Sequence, residues 1–300
     1  IPPFHSQLEL VQKVSEIELE IRSLIEAIDR IRDKRNKELQ SELGIELEFS
    51  KEKGDQYGLP IDDVIKDPSM RLDFQYNRPS FSKITRLDQG KFKMVEIDNQ
   101  TRETKILLGK ITSGSTPSGG IYPTRGISFV QVANVQDNKL DMTEHEFITE
   151  EFHSSLSRST INGEEVLVTI AGTIGRAAIN QGLKDANVNQ AIAVLRINSA
   201  VMLPLFLSSF LNSDAGKIQF AKYRHDFGTP NINQTELGKL RVPFPPLSIQ
   251  EKIVSNVKKR EQEIIQLETR LREKVLETSE YITQFLIGKN KYEDVHQRIK

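Results

Sequence analysis

The sequence predicts an α+β protein in which one globular domain is flanked by two long helices. Three observations support this class: a phrase repeated near both ends, apolar residues at alternating spacings of three and four in the flanking segments, and short β-branched runs between them. The first spacing is typical of helices that pair along a narrow seam, and the short runs are typical of strands.

The repeated phrase is IPPFHSQLELVQKV at 1–14 and VPFPPLSIQEKIVSNV at 242–257. When the two Pro-Pro pairs are aligned, the Gln that follows each pair is also aligned, and the apolar residues stay in register over about three heptads. An internal repeat constrains the architecture before any single motif does, so each copy is predicted to begin an equivalent helix.

The repeat and its flanking composition divide the chain into five parts. The first helix occupies 1–44, with Gly44 as its stop, and the second occupies 244–290. A linker at 45–70, the globular domain at 71–243 and a tail at 291–300 complete the chain.

Each helix needs a partner for its apolar stripe, and the simplest partner is the other helix, packed antiparallel as a coiled coil. Packing against helices of a second protein is the competing arrangement. The predicted helix interface consists of Leu10, Val14, Ile17, Ile21, Leu24, Ile28, Ile31, Ile253, Val257, Ile264, Leu267 and Leu271.

The middle of the chain alternates strand-like runs with turn signals. Runs such as 128–132, 165–170 and 191–197 are rich in β-branched residues and are bounded by Gly, Asn or Pro. Segments 203–212 and 215–223 are predicted to be helices, the first of them opened by Pro204. These elements predict a domain large enough to have a core of its own.

Composition excludes several classes of function. The chain has no cysteine, which excludes disulfides, thiolate catalysis and cysteine-based zinc sites. No apolar run is long enough for a membrane span, so no membrane partner is expected. The lack of cysteine fits a cytoplasmic protein, which is the predicted location. The net charge of −1 argues against wholesale coating of nucleic acid. The charges are uneven, because 137–165 is acidic whereas the flanks are basic, with residues such as Arg196, Arg224 and Arg241.

Recognisable catalytic motifs are few in this sequence. The sequence has neither a P-loop nor the paired histidines of a zinc-protease helix, and no convincing nucleophile, metal site or cofactor loop is found. Asp98, Glu103 and Lys105 have the residue types of a metal-dependent nuclease, and this alternative stays open although such residues are abundant in the chain. Polar loops are the richer feature, because Ser, Thr and backbone amides suit phosphate oxygens, Arg suits guanine, and Asn or Gln suits adenine.

Four motifs, in this order along the chain, resemble the specificity subunits of type I restriction–modification systems. They are LGKITSGSTP at 108–117, TIAGTIG at 169–175, GTPNINQTEL at 228–237 and PFPPLSIQEKIV at 243–254. The second motif departs from the usual Ser/Arg-rich wording at Ile170 and Ala171. Together with both helices, the resemblance covers most of residues 1–290.

The resemblance implies a non-catalytic subunit that recognises DNA. Such subunits contain two target recognition domains, each recognising half of a split double-stranded DNA sequence, with two antiparallel helices setting the gap. Methyltransferase subunits bind the helices and supply S-adenosylmethionine, and a motor-nuclease restriction subunit joins for cleavage, so this chain itself needs no cofactor. The implied DNA-binding residues are Ser113, Ser115, Thr116, Tyr122, Arg125, Thr173, Arg176, Asn187, Asn189, Gln190, Arg224, His225, Thr229, Asn231 and Asn233.

Further alternatives remain open from the sequence, beside the nuclease. The order helix, domain, helix fits the C-terminal half of a full subunit, which we prefer, and it also fits a half-subunit that pairs with a copy of itself. The same kind of domain could be the recognition module of a fused methyltransferase–nuclease. A coiled-coil adaptor whose central domain binds a protein is the alternative outside DNA recognition.

Overall fold

The computed structural model describes residues 4–47, 87–117, 122–225 and 229–287. The helices are α1 Phe4–Leu43, α2 Glu150–Ser155, α3 Pro204–Asn212, α4 Asp214–Tyr223, α5 Gln234–Gly238 and α6 Leu247–Ile287. The strands are β1 Met94–Glu96, β2 Thr112–Ser113, β3 Ile127–Val130, β4 Glu146–Ile148, β5 Thr160–Ile161, β6 Val166–Thr169, β7 Ala177–Ile179, β8 Ala186–Val188, β9 Ile192–Leu195 and β10 Arg241–Pro243. Helices and sheets are therefore mixed as predicted, although the individual strands are short.

The chain forms two compact units. One consists of Ile1–Lys37 with Asn256–Lys300, and the other is Glu38–Ser255. These boundaries fall within the two long helices, whereas the sequence predicted boundaries near 44 and 244. The predicted linker beyond residue 47, the first part of the predicted domain up to residue 86, and the predicted tail lie outside the described residues. No helix in the described part of the chain combines the length and apolar character needed to span a bilayer.

The first unit is held by apolar residues and by ion pairs between α1 and α6. Arg35 pairs with Glu261, and Arg32 lies 3.4 Å from Glu268. Further along, Lys274 Nζ lies 3.1 Å from a carboxylate oxygen of Glu20. All twelve residues of the predicted helix interface are buried or half-buried, whereas four apolar residues elsewhere on α1 are exposed. Those four are Leu8, Val11, Leu19 and Ile25.

Gly44 ends α1, as the sequence predicted. Its φ of 65° lies in the left-handed region that favours glycine. The Gly44 N–H donates to the Ser41 carbonyl at 3.1 Å, and the Ile45 N–H donates to the Gln40 carbonyl at 2.9 Å. This pair of bonds is a Schellman motif, which satisfies carbonyls that the helix end would leave unpaired.

The described residues of the second unit form three sheets. A two-stranded antiparallel sheet pairs β1 with β10, and thereby joins the start of the described domain to its end. The second sheet has the strand order β2-β9-β6-β7 and is antiparallel throughout. The third has the order β4-β3-β8-β5, and in it β3 and β8 run parallel.

The two four-stranded sheets share one apolar core. Leu167 and Val194 from the second sheet and Val130 and Val188 from the third belong to the same buried cluster. Strands β6 to β9 are buried at every position, which explains why their sequences are mainly apolar rather than alternating, with Thr169 and Asn187 as buried polar residues. The turns at the ends of these strands therefore emerge from a buried core.

Gln250 joins the start of α6 to the domain. Its side chain is fully buried, accepts a hydrogen bond from the Leu203 N–H at 2.8 Å, and donates to the Val201 and Pro245 carbonyls at 2.9 Å each. Gln250 is the glutamine of the repeated phrase, so in this copy the phrase marks the point where the domain is hydrogen-bonded to its helix.

Glu165 closes a turn next to β6 and provides a test of this packing. Its carboxylate accepts hydrogen bonds from the Asn162 and Gly163 N–H groups at 2.8 and 3.0 Å and from the Asn180 amide at 2.9 Å. Burial acts to raise the pKa of this carboxyl, but the donated hydrogen bonds outweigh burial and hold the pKa below its ordinary value of 4.5.

We expect Glu165→Gln to lower the free energy of unfolding by about 1–3 kcal/mol near neutral pH, because an amide N–H₂ then faces a donor. The loss should shrink as the pH falls through the depressed folded pKa, since the wild-type carboxylate is then protonated too. Urea unfolding over a pH series measures this, with the exposed Glu164→Gln as control. Equal stability at neutral pH, or a difference that grows on acidification, would contradict it.

Candidate nucleic-acid interface

Three loops leave the second sheet at the same edge. Strand β9 runs antiparallel to both neighbours, with Ser113 of β2 opposite Ala193 and Thr169 of β6 opposite Ile192. The ends of β2 and β6 therefore lie beside the start of β9. The loops that follow β2 and β6 and the loop that precedes β9 are brought together by this pairing.

The first loop contains Ser113, Ser115 and Thr116 and packs on the backbone that follows β8. A Cβ on Gly114 would lie 1.6 Å from the Val188 carbonyl oxygen and 2.7 Å from the Asn189 oxygen. Only glycine permits this close approach. The half-buried Ser113 and Ser115 and the exposed Thr116 are thereby held beside the third loop.

The second loop, 170–176, is closed by the buried side chain of Thr169. The Thr169 hydroxyl accepts a hydrogen bond from the Arg176 N–H at 3.0 Å and donates to the Thr173 carbonyl. Gly172 and Gly175 have φ values of 72° and 90°, which the tight turn requires. As a result Thr173 is exposed and Arg176 is half-buried at the same edge.

The third loop is the short connection from β8 to β9. The Asn189 N–H donates to the Val130 carbonyl at 3.0 Å, and its side-chain oxygen accepts from the Ala191 N–H at 2.8 Å. This is an Asx turn, in which the side chain mimics a backbone turn. Gln190, at the tip of the turn, is exposed.

A fourth loop from the end of the domain joins the other three. The Ile232 N–H donates to the Ile170 carbonyl at 2.9 Å, and Asn231 forms a bridge with Ala171 of the second loop. The Gln234 amide lies 2.8 Å from the Ser113 hydroxyl of the first loop. We define the four-loop edge as residues 113–117, 170–176, 189–191 and 231–234.

The four-loop edge brings together most of the predicted DNA-binding residues. His225 is attached to it through two backbone hydrogen bonds with Asn231, and Thr229 through a bond from the Asn231 side chain to its carbonyl. Arg224 precedes His225 and is exposed. The predicted residues within the edge are Ser113, Ser115, Thr116, Thr173, Arg176, Asn189, Gln190, Asn231 and Asn233.

Three predicted residues lie elsewhere. Asn187 is fully buried, and its side chain is hydrogen-bonded to His153 at 3.1 Å and to Ser159 at 3.5 Å. The prediction that Asn187 contacts DNA is therefore wrong, because its side chain lies in the protein interior, as do all residues of β8. Tyr122 and Arg125 precede β3, whereas the Asn189 loop follows the far end of its parallel neighbour β8, so neither belongs to the edge. The Tyr122 ring packs against Phe129, with centroids 5.9 Å apart.

Two of the arginines in the basic flanks are already bound by the protein. Arg196 donates to the Thr112 hydroxyl at 3.2 Å and to two backbone carbonyls at 3.0 Å. Arg241 makes a two-point ion pair with Asp88. Such arginines contribute to the local potential, but their donors are committed within the fold.

The residues of the nuclease alternative do not form a metal site in the described part of the chain. Asp98 accepts a hydrogen bond from the Gln100 amide at 2.6 Å, and Glu103 is exposed on a short 3-10 turn. Across the described ranges, no three His, Asp or Glu side chains are grouped so that they could hold a metal ion.

Several residues in or next to the four-loop edge were not predicted from the sequence. Thr169, Gly114 and Gln234 act by shaping loops rather than by facing outward, so their polarity alone does not single them out. The helix-capping role of Glu236 could have been predicted, because Asn followed three residues later by Glu, here Asn233 and Glu236, is a capping-box pattern. Its further contact with His225, from a separate segment, depends on the tertiary fold.

Comparison with known proteins identifies a family. Residues 77–277 match the family model of the type I restriction modification DNA specificity domain. The specificity subunit of the type I restriction enzyme EcoBI of Escherichia coli is 29% identical over 178 residues, which cover 55% of this chain and 37% of that protein. The chain thus aligns with well under half the length of this relative.

A solved structure with a TM-score above 0.5 shows the same fold. The S subunit of a type I restriction-modification system from M. genitalium superposes with a TM-score of 0.52 and 13% identity, covering 94% of this chain and 61% of that one. The HsdS subunit from Thermoanaerobacter tengcongensis superposes with a TM-score of 0.45 and 14% identity, covering 96% and 60%.

We expect Gly114→Ala to displace the first loop, because its methyl group would overlap backbone that cannot move aside. The cost should be about 1–3 kcal/mol in the free energy of unfolding, as for overpacking in general. The matched control is Gly109→Ala, since a Cβ there meets nothing within 4 Å. Thermal unfolding and amide exchange at Asn189 report the effect. Equal behaviour of the two variants would show that the loop does not pack on Val188.

Proposed function

The chain belongs to the family of type I restriction–modification DNA specificity domains, and we propose that its domain recognises one half of a bipartite DNA sequence through the four-loop edge. The proposal depends on one observation. Four loops from separate parts of the sequence place hydroxyl, amide and guanidinium groups side by side at one edge of a buried sheet.

The chemistry of the edge suits base edges in the major groove. Gln190 and Asn231 are exposed and can pair with adenine, while Arg176 and Arg224 can pair with guanine or phosphate. The first loop adds the hydroxyls of Ser115 and Thr116, which suit phosphate oxygens. A rigid base under short loops is what sequence recognition requires, because base contacts depend on fixed positions.

Charge supports the same face for DNA. Exposed carboxylates cluster on and near the third sheet, with Glu146 on β4 and Glu150 and Glu151 opening α2. A phosphate backbone is repelled from such a surface. The edge itself contains arginine and neutral polar groups, so it is the more favourable face.

We further propose that α1 and α6 form an antiparallel coiled coil. Ion pairs between them support this, because the partner numbers fall along α6 as they rise along α1: Glu20 with Lys274, Arg32 with Glu268, Arg35 with Glu261, and Glu42 with Lys252. The half-buried and buried seam residues lie on one stripe of each helix. In a full subunit such a pair would fix the distance between two recognition domains.

The family also suggests partners, which we propose for this chain without assigning it catalysis. Methyltransferase subunits would contain S-adenosylmethionine and the methylating pocket, and a restriction subunit would join for cleavage in the cytoplasm. The exposed apolar residues on α1, Leu8, Val11, Leu19 and Ile25, favour a protein partner on this helix. They equally suit the adaptor alternative, and a half-subunit could pair with its own copy.

Selection from a random-sequence duplex pool at two salt concentrations tests the proposed function. Enrichment of a motif of about three to five base pairs, with affinity falling as salt rises, is the expected result. Binding of the domain to a protein that survives moderate salt and is unaffected by DNA competitors would favour the adaptor instead. If the chain alone enriches nothing, the selection is repeated with a methyltransferase partner, and failure there too would overturn the proposal.

We expect Gln190→Ala to weaken binding to the selected duplex by about 1–3 kcal/mol and to relax one position of the motif. The reason is that Gln190 is exposed at the tip of the third loop, within reach of a base. Gln181→Ala is the matched control, because Gln181 is exposed beyond the other end of β7. Repeat selections with each variant measure the effect. A uniform loss on every sequence would make Gln190 a backbone contact.

The helix pairing predicts which groups a zero-length carbodiimide cross-linker joins. Lys274 should link to Glu20, at 3.1 Å, and Lys252 to Glu42, at 2.9 Å. The link from Lys274 to Glu277 within α6 is the internal control for reactivity, since that pair lies 2.9 Å apart. Mass spectrometry of the digested chain identifies the links. Formation of the control link without the Glu20 link would contradict the antiparallel pairing.

A further inference from the structure

The fourth loop is clamped by one buried carboxylate. Glu236, on α5, is 8% exposed, and one of its oxygens lies 2.6 Å from His225 Nε2. The other oxygen accepts the Asn233 N–H at 3.1 Å. Glu236 thereby contacts two of the predicted DNA-binding residues, which lie eight positions apart in the sequence.

Two further contacts extend the clamp. The Asn233 side-chain oxygen accepts the Glu236 N–H at 2.9 Å, which completes a capping box at the start of α5. His225 and Asn231 exchange two backbone hydrogen bonds, at 2.8 and 3.1 Å. The positions of His225, Asn231 and Asn233 are therefore coupled to a single side chain.

We infer that Glu236 is the positioning residue of the fourth loop, holding His225, Asn231 and Asn233 in the arrangement that recognises DNA. This inference rests on the proposed function. Glu236 does not contact DNA itself, because its carboxylate is buried and both oxygens accept hydrogen bonds from the protein.

A carboxylate is required here because two donors must be satisfied at once. The Asn233 N–H always donates, and His225 Nε2 donates whenever it carries a proton. Glutamate has an acceptor oxygen for each, whereas glutamine has one oxygen and one N–H₂ group. Glutamine can therefore serve both partners only while His225 Nε2 is a bare acceptor, which requires neutral imidazole.

This inventory predicts a pH signature. In Glu236→Gln the contacts of residue 236 with His225 and Asn233 should hold when the imidazole is neutral. They should fail when the imidazole is protonated, because the side-chain N–H₂ group then faces a donor in either orientation of the amide. In the wild type these contacts should hold in both forms. Two charged residues adjoin His225 in the described chain: Glu236 of α5, with an oxygen 2.6 Å from Nε2, and the exposed Arg224, which precedes it in the sequence.

The test measures discrimination and loop order together, at about pH 5.5 and about pH 8, on either side of the ordinary histidine range. Discrimination is the ratio of Kd values for a scrambled and a selected duplex at fixed salt. Loop order is the protection of the His225 and Asn231 amides against hydrogen exchange. The full chain is used as wild type, Glu236→Gln, Glu236→Ala and the exposed control Glu164→Gln.

We expect Glu236→Gln to match the wild type at the higher pH and to lose about tenfold in discrimination and protection at the lower pH, as one unsatisfied buried donor implies. Glu236→Ala should lose both at either pH, and Glu164→Gln neither. An effect of Glu236→Gln that is the same at both pH values, or protection lost without loss of discrimination, would overturn the inference. If the wild-type chain does not discriminate at all, the proposed function fails and the recognition role of Glu236 with it. The exchange data would still show separately whether the clamp exists.

Discussion

The antiparallel pairing of β9 with β2 and β6 is the constraint on which the candidate site depends. Backbone N–H and C=O groups in a buried sheet must be paired, so the register of these strands is fixed. Because β2 and β6 end where β9 begins, three loops emerge together, and the fourth attaches to them through Ile232 and Gln234. Residues far apart in the sequence become one surface without any of them belonging to a shared motif.

The same pairing logic connects the domain to its helices. Strands β1 and β10 bring the two ends of the described domain together, and Gln250 then ties the start of α6 to the Val201–Leu203 turn. The repeated phrase in the sequence therefore has a physical meaning in its second copy. It is a junction where a buried amide is hydrogen-bonded to three backbone groups.

The sequence predicted the regular elements well and the site only in part. The seam spacing gave both long helices, and Gly44 gave the end of α1, because these signals are local. The α+β class followed from β-branched runs such as 165–170. Asn187 was wrongly predicted to contact DNA because a polar residue in the sequence does not show whether its side chain faces solvent or the interior of a strand. Glu236 and Thr169 were missed because their roles depend on contacts that only the folded chain creates.

Hydrogen–deuterium exchange of the full chain with and without the selected duplex tests the central claim most directly. If the four-loop edge recognises DNA, protection should rise in 113–117, 170–176, 189–191 and 231–234 and stay unchanged around β4 and α2. Protection confined to the helices, or spread evenly over basic surface whatever the duplex sequence, would contradict the account. In that case the convergence of the four loops would serve folding rather than recognition.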